Sequence, residues 1–458
     1  MHSLLQRLLN GAGLGARLMR STGFTVLGYG VSQVLRLGSN LVLTRLLYPE
    51  AFGLMTLVTV FTVGLTLLSD VGIGPSIQQS RLGDEPSFVD TAWTIQVLRG
   101  AILFALCLIL GTLAARIYGD SRLETMLPVA GLALLISGFN PTRIETANRR
   151  LVLGRITLLD FLSQVLGLMA TLILAWTLRS VWALVIGGVV SAAVRLAIMH
   201  LLLPGPRNRF HWDPGAAAEL IAFGKWIFLS TLCAFLLAQG DKAVLGRYLS
   251  LEMLGVYNIG YALAGFAQAL ASTVMGRIMI PMYRERPPGD APDNFAKIRR
   301  ARFAMTGAVF AMQFTFAFAG VWLVGTLYDP RFAAAGGVAV AAACMNVPYL
   351  VGMTYDSSAL AAGDSRGQFL LLLAKACGQT LLILLGTLIA GLPGMLIGVW
   401  LSQIIAHPVV IWLARRHQAW DPLHDAIFGG LGIVLTVLVL WLHYDSLKVL
   451  WTFVPPLG

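Results

Sequence analysis

The sequence predicts an all-α protein that crosses the membrane many times, built from two six-helix repeats and one extra C-terminal transmembrane helix. Three observations predict it. The chain is 57% hydrophobic and only 12% charged, with a mean hydropathy of +0.76, whereas soluble domains are about half apolar and a quarter charged. Apolar runs of about 20 residues follow one another, which is the length that crosses a bilayer. Finally, a pattern of residues recurs at a constant offset.

The recurrence is an offset of 202 residues between identical residues in the two halves. It covers six predicted spans, and an even number returns the chain to the same side of the membrane. The halves are therefore expected to be parallel repeats related by an axis along the membrane normal, an arrangement typical of transporters. The matching pairs are Gly38 and Gly240, Val42 and Val244, Leu43 and Leu245, Arg45 and Arg247, Leu47 and Leu249, Glu50 and Glu252, Gly53 and Gly255, and Gly74 and Gly276.

Counting apolar runs predicts thirteen spans. The fourth is the weakest, because Asn140 and Pro141 end its apolar stretch early. The predicted spans are 22–47, 51–79, 90–117, 126–141, 155–178, 181–204, 217–248, 252–282, 300–328, 333–361, 366–390, 393–414 and 424–443.

These spans divide the chain into five segments. The N-terminal segment pairs leucines with arginines, which suits a helix lying in the cytoplasmic interface. In order, the segments are an interfacial segment (1–21), an N-terminal lobe (22–204), a cytoplasmic linker (205–216), a C-terminal lobe (217–415), and an extra transmembrane helix with a short outer tail (416–458).

Lysines and arginines are distributed unevenly between the two sides. With a cytoplasmic N-terminus, 21 of the 33 fall on the inner side and its flanks, as the positive-inside rule requires. The net charge of +11 then reflects topology and contact with anionic lipids, and no nucleic-acid partner is needed.

Enzyme and cofactor chemistry has little support in the sequence. The four cysteines lie in apolar runs without CxxC spacing, and Gly-rich nucleotide loops, HExxH and GxSxG are absent. We therefore expect no metal, no cofactor and no catalytic residue.

Three segments resemble a known family. They are NLVLTRLLYPEAFGLMTL (Asn40–Leu57), DVGIGPSIQQ (Asp70–Gln79) and DKAVLGRYLSLEMLGVY (Asp241–Tyr257). They resemble polysaccharide transporters of the multidrug/oligosaccharidyl-lipid/polysaccharide (MOP) superfamily, the Wzx-type oligosaccharide flippases, over about residues 20–415.

The resemblance implies a MATE-like fold with two six-helix lobes around a central cavity that opens alternately to either side. The implied cargo is a sugar chain on a polyprenyl pyrophosphate, carried across the bacterial cytoplasmic (inner) membrane. It also implies polysaccharide polymerase and export proteins as partners.

A polar stripe on the first helix is the first candidate substrate site. Tyr29, Gln33, Arg36 and Asn40 share one helical face, and an intramembrane Arg is a functional candidate by default. The alternative is that Arg36 pairs with a carboxylate for packing alone.

The offset carries the same face into the second half, where Asn40 corresponds to Lys242. Two cations from two lobes suit a pyrophosphate, which binds Arg bidentately and Lys as a point charge. The alternative for Lys242 is a local contact with Asp241 or reach to the outer interface.

The second helix of each half predicts a sugar-binding face. Thr59, Thr66 and Asp70 correspond to Tyr261, Gln268 and Ser272, and sugars need hydroxyl, amide and aromatic partners. The alternative is that the hydroxyls bond their own backbone.

Four aspartates are candidate proton or sodium carriers: Asp70, Asp160, Asp241 and Asp356. The alternative for each is a structural ion pair with Arg or Lys. The sequence thus predicts a lipid-linked oligosaccharide flippase. One alternative is a multidrug or cation antiporter of the same superfamily, which an acidic cavity would favour. The other is a membrane O-antigen polymerase or ligase, which long outer loops would favour.

Overall fold

The computed structural model describes residues 14–150 and 153–453, without the side chains of residues 14–27, 29, 153, 223–228 and 453. Regular structure in these ranges is helical, with no strand. Nine of the described helices are long and apolar enough to cross a membrane, or ten if one bent pair is a single span. The polytopic membrane fold is therefore confirmed, while the full count of thirteen spans stays a prediction.

The chain divides into two compact units. Within the described residues, unit 1 comprises 14–47 and 58–232, and unit 2 comprises 48–57 and 233–453. Unit 1 is built mainly from α1 (Leu14–Leu46), α2 (Pro49–Leu68), α3 (Ile73–Gln79), α4 (Pro86–Tyr118), α5 (Arg122–Gly138), α6 (Arg143–Arg149), α7 (Leu153–Leu178), α8 (Trp182–Leu202) and the first half of α9 (Pro214–Tyr248).

The predicted segment boundaries differ from these at both ends of unit 1. Residues 14–21 continue α1, and the rest of the predicted interfacial segment lies outside the described residues. The predicted linker is bonded to α4, since the backbone N–H groups of His211 and Asp213 donate to Thr94 and Thr91 at 3.0 Å. Leu220 is fully buried in the same hydrophobic cluster as Phe88, so the start of α9 packs with unit 1.

Two predicted spans are interrupted in unit 1. The second breaks between α2 and α3, where Gly72 adopts a left-handed conformation (φ 64°) and its N–H donates to Asp70 at 2.9 Å. The fourth breaks between α5 and α6 with a bend of 57°. The sequence analysis predicted the break in the fourth span, at Asn140 and Pro141, but not the break in the second span.

Arginines bond to the carbonyl groups that helix ends leave free. Arg149 donates to the Ile77 carbonyl at 2.9 Å, Arg155 to Leu202 at 2.7 Å, and Arg143 to Met199 at 2.9 Å. The last four carbonyls of a helix have no intrahelical partner. These side chains allow α3 and α8 to end where they do.

Unit 2 contains the rest of α9 and a central, alanine-rich helix. Every residue from Ala335 to Cys344 is buried. The elements are α10 (Leu251–Glu285), α11 (Pro292–Leu327), a 3-10 turn (Pro330–Phe332), α12 (Ala334–Met345), α13 (Val347–Gly352), α14 (Asp356–Ala361), α15 (Ser365–Arg416), α16 (Pro422–Leu442), α17 (Tyr444–Lys448) and a 3-10 turn (Val449–Phe453). The predicted tenth span, 333–361, thus consists of three short helices, α12 to α14.

Helix α15 is a hairpin of two arms that meet at Ala390 and Gly391, where the backbone leaves the helical region (Gly391 φ 58°, ψ −133°). The arms pack closely. A Cβ on Gly386 would lie 2.1 Å from the Gly394 carbonyl oxygen, and a Cβ on Gly398 would lie 2.2 Å from that of Leu382. The break falls between the predicted eleventh and twelfth spans, which the arms therefore match.

Two equivalent glycines support the predicted duplication. In unit 2 the start of α2 packs against the start of α10, and a Cβ on Gly53 would lie 1.8 Å from the Leu251 carbonyl oxygen. Reciprocally, a Cβ on Gly255 would lie 1.9 Å from that of Pro49. Pro49 and Leu251 are themselves equivalent at the 202-residue offset. The two glycines therefore make the same contact in both directions, which is a local twofold contact.

The extra helix α16 begins in a buried polar network. Asp421, which is fully buried, accepts hydrogen bonds from Arg299 Nε at 2.7 Å and Nη2 at 2.8 Å. Asp425 accepts from Tyr355 at 2.7 Å and from Trp420 at 3.0 Å. These bonds join α16 to α11 and to the start of α14, so the extra helix belongs to unit 2.

The hairpin supplies a matched test. Gly386→Ala should lower the thermal unfolding temperature of the purified protein in detergent, because overpacking destabilises by about 1–3 kcal/mol. Gly378→Ala, on the same arm with open space around its Cα, should leave that temperature unchanged or raise it, since Ala favours a helix by about 0.5–1 kcal/mol. Equal effects of the two substitutions would contradict the packing of the arms.

Candidate functional site

The predicted face on the first helix lies on α1 in unit 1. Arg36 is exposed, and Gln33 and Asn40 are half-buried, while Tyr29 lies outside the described side chains. No ion pair joins Arg36 to a carboxylate among the described residues. The alternative, a purely structural ion pair, would therefore need a carboxylate that the described residues do not supply to Arg36.

Two residues of the predicted sugar-binding face line a polar cavity within unit 1. The cavity has a volume of about 240 Å³, and Thr66 and Asp70 contribute to its wall. The Thr66 hydroxyl donates to the Thr62 carbonyl at 2.7 Å, as the alternative reading of that residue expected. Thr59 is half-buried on the preceding turns of α2.

The cavity lies beside both broken helices, and Arg99 organises it. Its Nε donates to the Ser69 hydroxyl at 2.8 Å, and its Nη2 to the Thr66 carbonyl. Asp70 accepts from the Gly72 N–H, so it stabilises the break as well as lining the cavity. Arg99 thereby bonds the end of α2 and places a cation on the cavity wall.

The polar residues of this cavity that were not predicted include Gln96, Asn140 and Glu145. Glu145 accepts from the Gln78 side chain at 2.8 Å, and Gln96 donates to the Asn140 carbonyl at 2.9 Å. The signal for them was the Asn-Pro break itself, because a helix interruption at membrane depth needs polar groups around it.

In unit 2, Lys242 and Tyr261 lie together. The Lys242 ammonium is 5.6 Å from the centre of the Tyr261 ring, and 3.4 Å from the Ala238 carbonyl oxygen. No ion pair to Lys242 occurs within the described ranges. The neighbouring Asp241 therefore does not neutralise it, and the cation stays available on a tyrosine face.

Asp241 is the most isolated of the four predicted ion carriers. It is 4% exposed, and its Oδ2 accepts from the Tyr257 hydroxyl at 2.5 Å. Its Oδ1 has no hydrogen-bond partner among the described atoms. A buried carboxylate with a free oxygen is an unusual arrangement, and it distinguishes Asp241 from the other three.

The other three candidates have structural partners. Asp160 pairs with Arg195 at 2.9 Å, and Asp356 pairs with Lys375 at 2.8 Å. Asp70 bonds the backbone at the α2–α3 break, as described above. Asp160 and Asp356 thus have the ion pairs that the structural alternative expects, whereas the contact described for Asp70 is with a backbone N–H.

The remaining predicted residue, Gln268, lies near the Tyr349 side chain. Tyr349 in turn lies beside Lys375, whose ammonium is 5.6 Å from the ring centre. The predicted polar face of α10 is thus tied to the Lys375–Asp356 pair. Within the described residues no group of three or more His, Cys, Asp or Glu side chains could hold a metal ion.

Comparison with known proteins gives one family and several distant relatives. A family model described as polysaccharide biosynthesis protein matches residues 42–335. The lipopolysaccharide biosynthesis protein WzxC of Escherichia coli is 21% identical over 321 residues, which are 69% of this chain and 62% of WzxC. The succinoglycan biosynthesis transport protein ExoT of Rhizobium meliloti is 23% identical over 58% of this chain and 53% of ExoT. The matches thus span less than two thirds of these relatives.

Solved structures share the fold at lower identity. Lipid II flippase MurJ in an inward closed conformation superposes with a TM-score of 0.64 at 13% identity, covering 92% of this chain and 99% of MurJ. An inward-facing multidrug resistance MATE family transporter of the MOP superfamily gives a TM-score of 0.60 at 16% identity, covering 85% and 95%. The family model covers more than half of the sequence. The chain therefore belongs to the polysaccharide biosynthesis protein family and has the MOP-superfamily fold.

Proposed function

We propose that this protein is a flippase that moves polyprenyl-pyrophosphate-linked oligosaccharide from the inner to the outer leaflet of the bacterial cytoplasmic membrane, for surface polysaccharide biosynthesis. The observation that carries the proposal is that two intramembrane cations, Arg36 and Lys242, have no ion-pair partner among the described residues. An anionic cargo would supply the partner that each cation lacks. The family and the fold place the chain with transporters and not with enzymes.

The names of relatives support a carrier of polysaccharide intermediates. ExoT is named as a transport protein of succinoglycan biosynthesis, and MurJ as a lipid II flippase. The fold also supports the alternative, a multidrug or cation antiporter, because MATE transporters share it. The unit 1 cavity carries Arg99 and Arg195 beside Asp70 and Glu145, so its charges are mixed, whereas an acidic cavity would favour the antiporter.

Transport would proceed by alternating access. Arg36 would bind pyrophosphate oxygens bidentately and Lys242 as a point charge, while Tyr261 and Gln268 would contact sugars. A negative inside potential assists outward movement of the anion by about 2.3 kcal/mol per charge per 100 mV. If a cation is exchanged for the cargo, Asp241 is the carrier that the contacts favour.

Removing the charge at Arg36 should abolish surface polysaccharide, with lipid-linked intermediate accumulating inside the cell. Arg36→Lys should retain part of the activity, because a point cation still attracts phosphate. The measurement is surface polysaccharide per amount of membrane-inserted protein. Arg45→Ala, on the same helix but nine residues beyond Arg36 and so on the opposite face, is the comparison. Normal export by the Arg36→Ala protein would remove Arg36 from the mechanism.

A double-mutant cycle on Arg36 and Lys242, in a reconstituted flipping assay, tests whether both hold one pyrophosphate. Groups that hold one anion should be non-additive, with a coupling of about 1 kcal/mol or more, whereas independent groups add. Simple addition of the two Ala effects would argue against a shared anion. So would a loss of neutral-drug export as large as the loss of flipping, which would favour the antiporter.

Asp241→Asn tests ion coupling separately. The substitution keeps the shape and the acceptor for Tyr257 but removes the charge and the titratable proton. Flipping should lose its dependence on an imposed ion gradient while flipping driven by membrane potential persists. Asp160→Asn, which removes the partner of Arg195, should leave the gradient dependence intact. Retained gradient dependence in Asp241→Asn would exclude it as the carrier.

A further inference from the structure

One end of unit 2 carries a cleft that the proposed transport path does not use. It lies where α10, α14 and α15 end, and its volume is about 440 Å³. We call it the arginine cleft, because Arg284 and Arg416 lie on its walls. Its walls also include Tyr283, Gly289, Asp290, His417 and Gln418. All belong to helix ends or loops that the predicted topology places on the cytoplasmic side.

The walls of the arginine cleft are held by specific contacts. Beneath its floor, the fully buried Arg302 donates from Nη2 to the Tyr283 hydroxyl and to the Ala419 carbonyl, both at 2.7 Å. Gln418 adopts a left-handed conformation (φ 52°), and its side chain packs on Gly289, where an added Cβ would lie 2.1 Å from Gln418 Oε1 and would require the Gln418 side chain to shift. A strained residue held by its surroundings is typical of a functional site.

The charges in and around the cleft favour an anion. Arg284 is exposed and has no ion pair among the described residues. Arg416 lies 3.8 Å from Asp364, and His417 lies 3.1 Å from the same carboxylate. The hydrogen bond from the Gly367 N–H lowers the pKa of Asp364 and so favours its negative charge. Arg416 and His417 share this one carboxylate.

The remaining charges are those of Asp290 on the wall and Arg302 under the floor. Arg302 lies 3.8 Å from the buried Asp421, but its Nε and Nη1 have no hydrogen-bond partner in the described structure. Asp421 in turn is bonded bidentately by Arg299. The arginines of this region therefore exceed what its carboxylates neutralise.

We propose that the arginine cleft binds the diphosphate of a polyprenyl-linked substrate at the membrane surface, before the substrate enters the transport path. The inference rests on the proposed function. Arginine forks match phosphate oxygens bidentately, and the ends of spans lie at the depth of lipid headgroups. A cleft of about 440 Å³ has room for more than one phosphate, which favours a diphosphate over the single phosphate of an ordinary phospholipid.

The test titrates farnesyl diphosphate into the full-length protein in detergent, measured by calorimetry. The background is Arg36→Ala with Lys242→Ala, so that binding in the transport path does not contribute. Adding Arg284→Ala and Arg416→Ala should weaken binding at least tenfold, whereas Arg284→Lys with Arg416→Lys should lose less. Arg300→Ala, an exposed arginine outside the cleft, should change affinity less than twofold. Unchanged binding in the Arg284/Arg416 alanine protein would overturn the proposal.

Competition separates the two sources of phosphate. Short-chain phosphatidylglycerol should displace farnesyl diphosphate poorly. Displacement at equal concentrations would assign the cleft to ordinary phospholipid and overturn the diphosphate assignment. Flipping by the unmodified protein is measured in parallel. If the unmodified protein flips its substrate but the cleft binds no farnesyl diphosphate, only the proposal for the cleft is rejected. If the cleft binds farnesyl diphosphate but the unmodified protein does not flip, the proposed function is rejected.

Discussion

The need to satisfy the backbone carbonyls that helix ends leave free shapes much of this protein. The last turn of a helix leaves carbonyl groups without an intrahelical partner. Here arginines supply the missing donors: Arg99 at the end of α2, Arg149 at the end of α3, Arg143 and Arg155 at the end of α8, and Arg302 after α15. Because each of these arginines binds a specific carbonyl, the positions of the breaks depend on them.

The same constraint separates the basic residues into two classes. Those that bond to helix-end carbonyls have a structural task that accounts for their charge. In the described part of the chain, Arg36 and Lys242 bond to no helix-end carbonyl and pair with no carboxylate. Lys242 lies close only to the Ala238 carbonyl of its own helix and to the side chain of Gln239. The proposed site therefore rests on the cations that the architecture of each unit leaves without a structural counter-charge.

Apolar runs and glycine spacing predicted the elements well where each run was continuous. The boundary between the eleventh and twelfth spans was predicted between residues 390 and 393, and the chain reverses at Ala390 and Gly391. The break at Gly72 was missed because spans were counted as apolar runs of about 20 residues, and a few polar or turn-forming residues such as Ser69, Asp70 and Pro75 were absorbed into one run. The three short helices of the predicted tenth span were missed for the same reason.

By itself the sequence determined the membrane class, most of the span boundaries, the duplication signal and the candidate cations, because these depend on composition and on spacing along the chain. Tertiary structure decided which ionisable groups are neutralised. Asp160 and Asp356 pair with Arg195 and Lys375 from other helices, whereas Asp241 keeps a free oxygen. Such pairing depends on distances between residues far apart in the chain, which no local pattern encodes. The arginine cleft is likewise made by helix ends that only folding brings together.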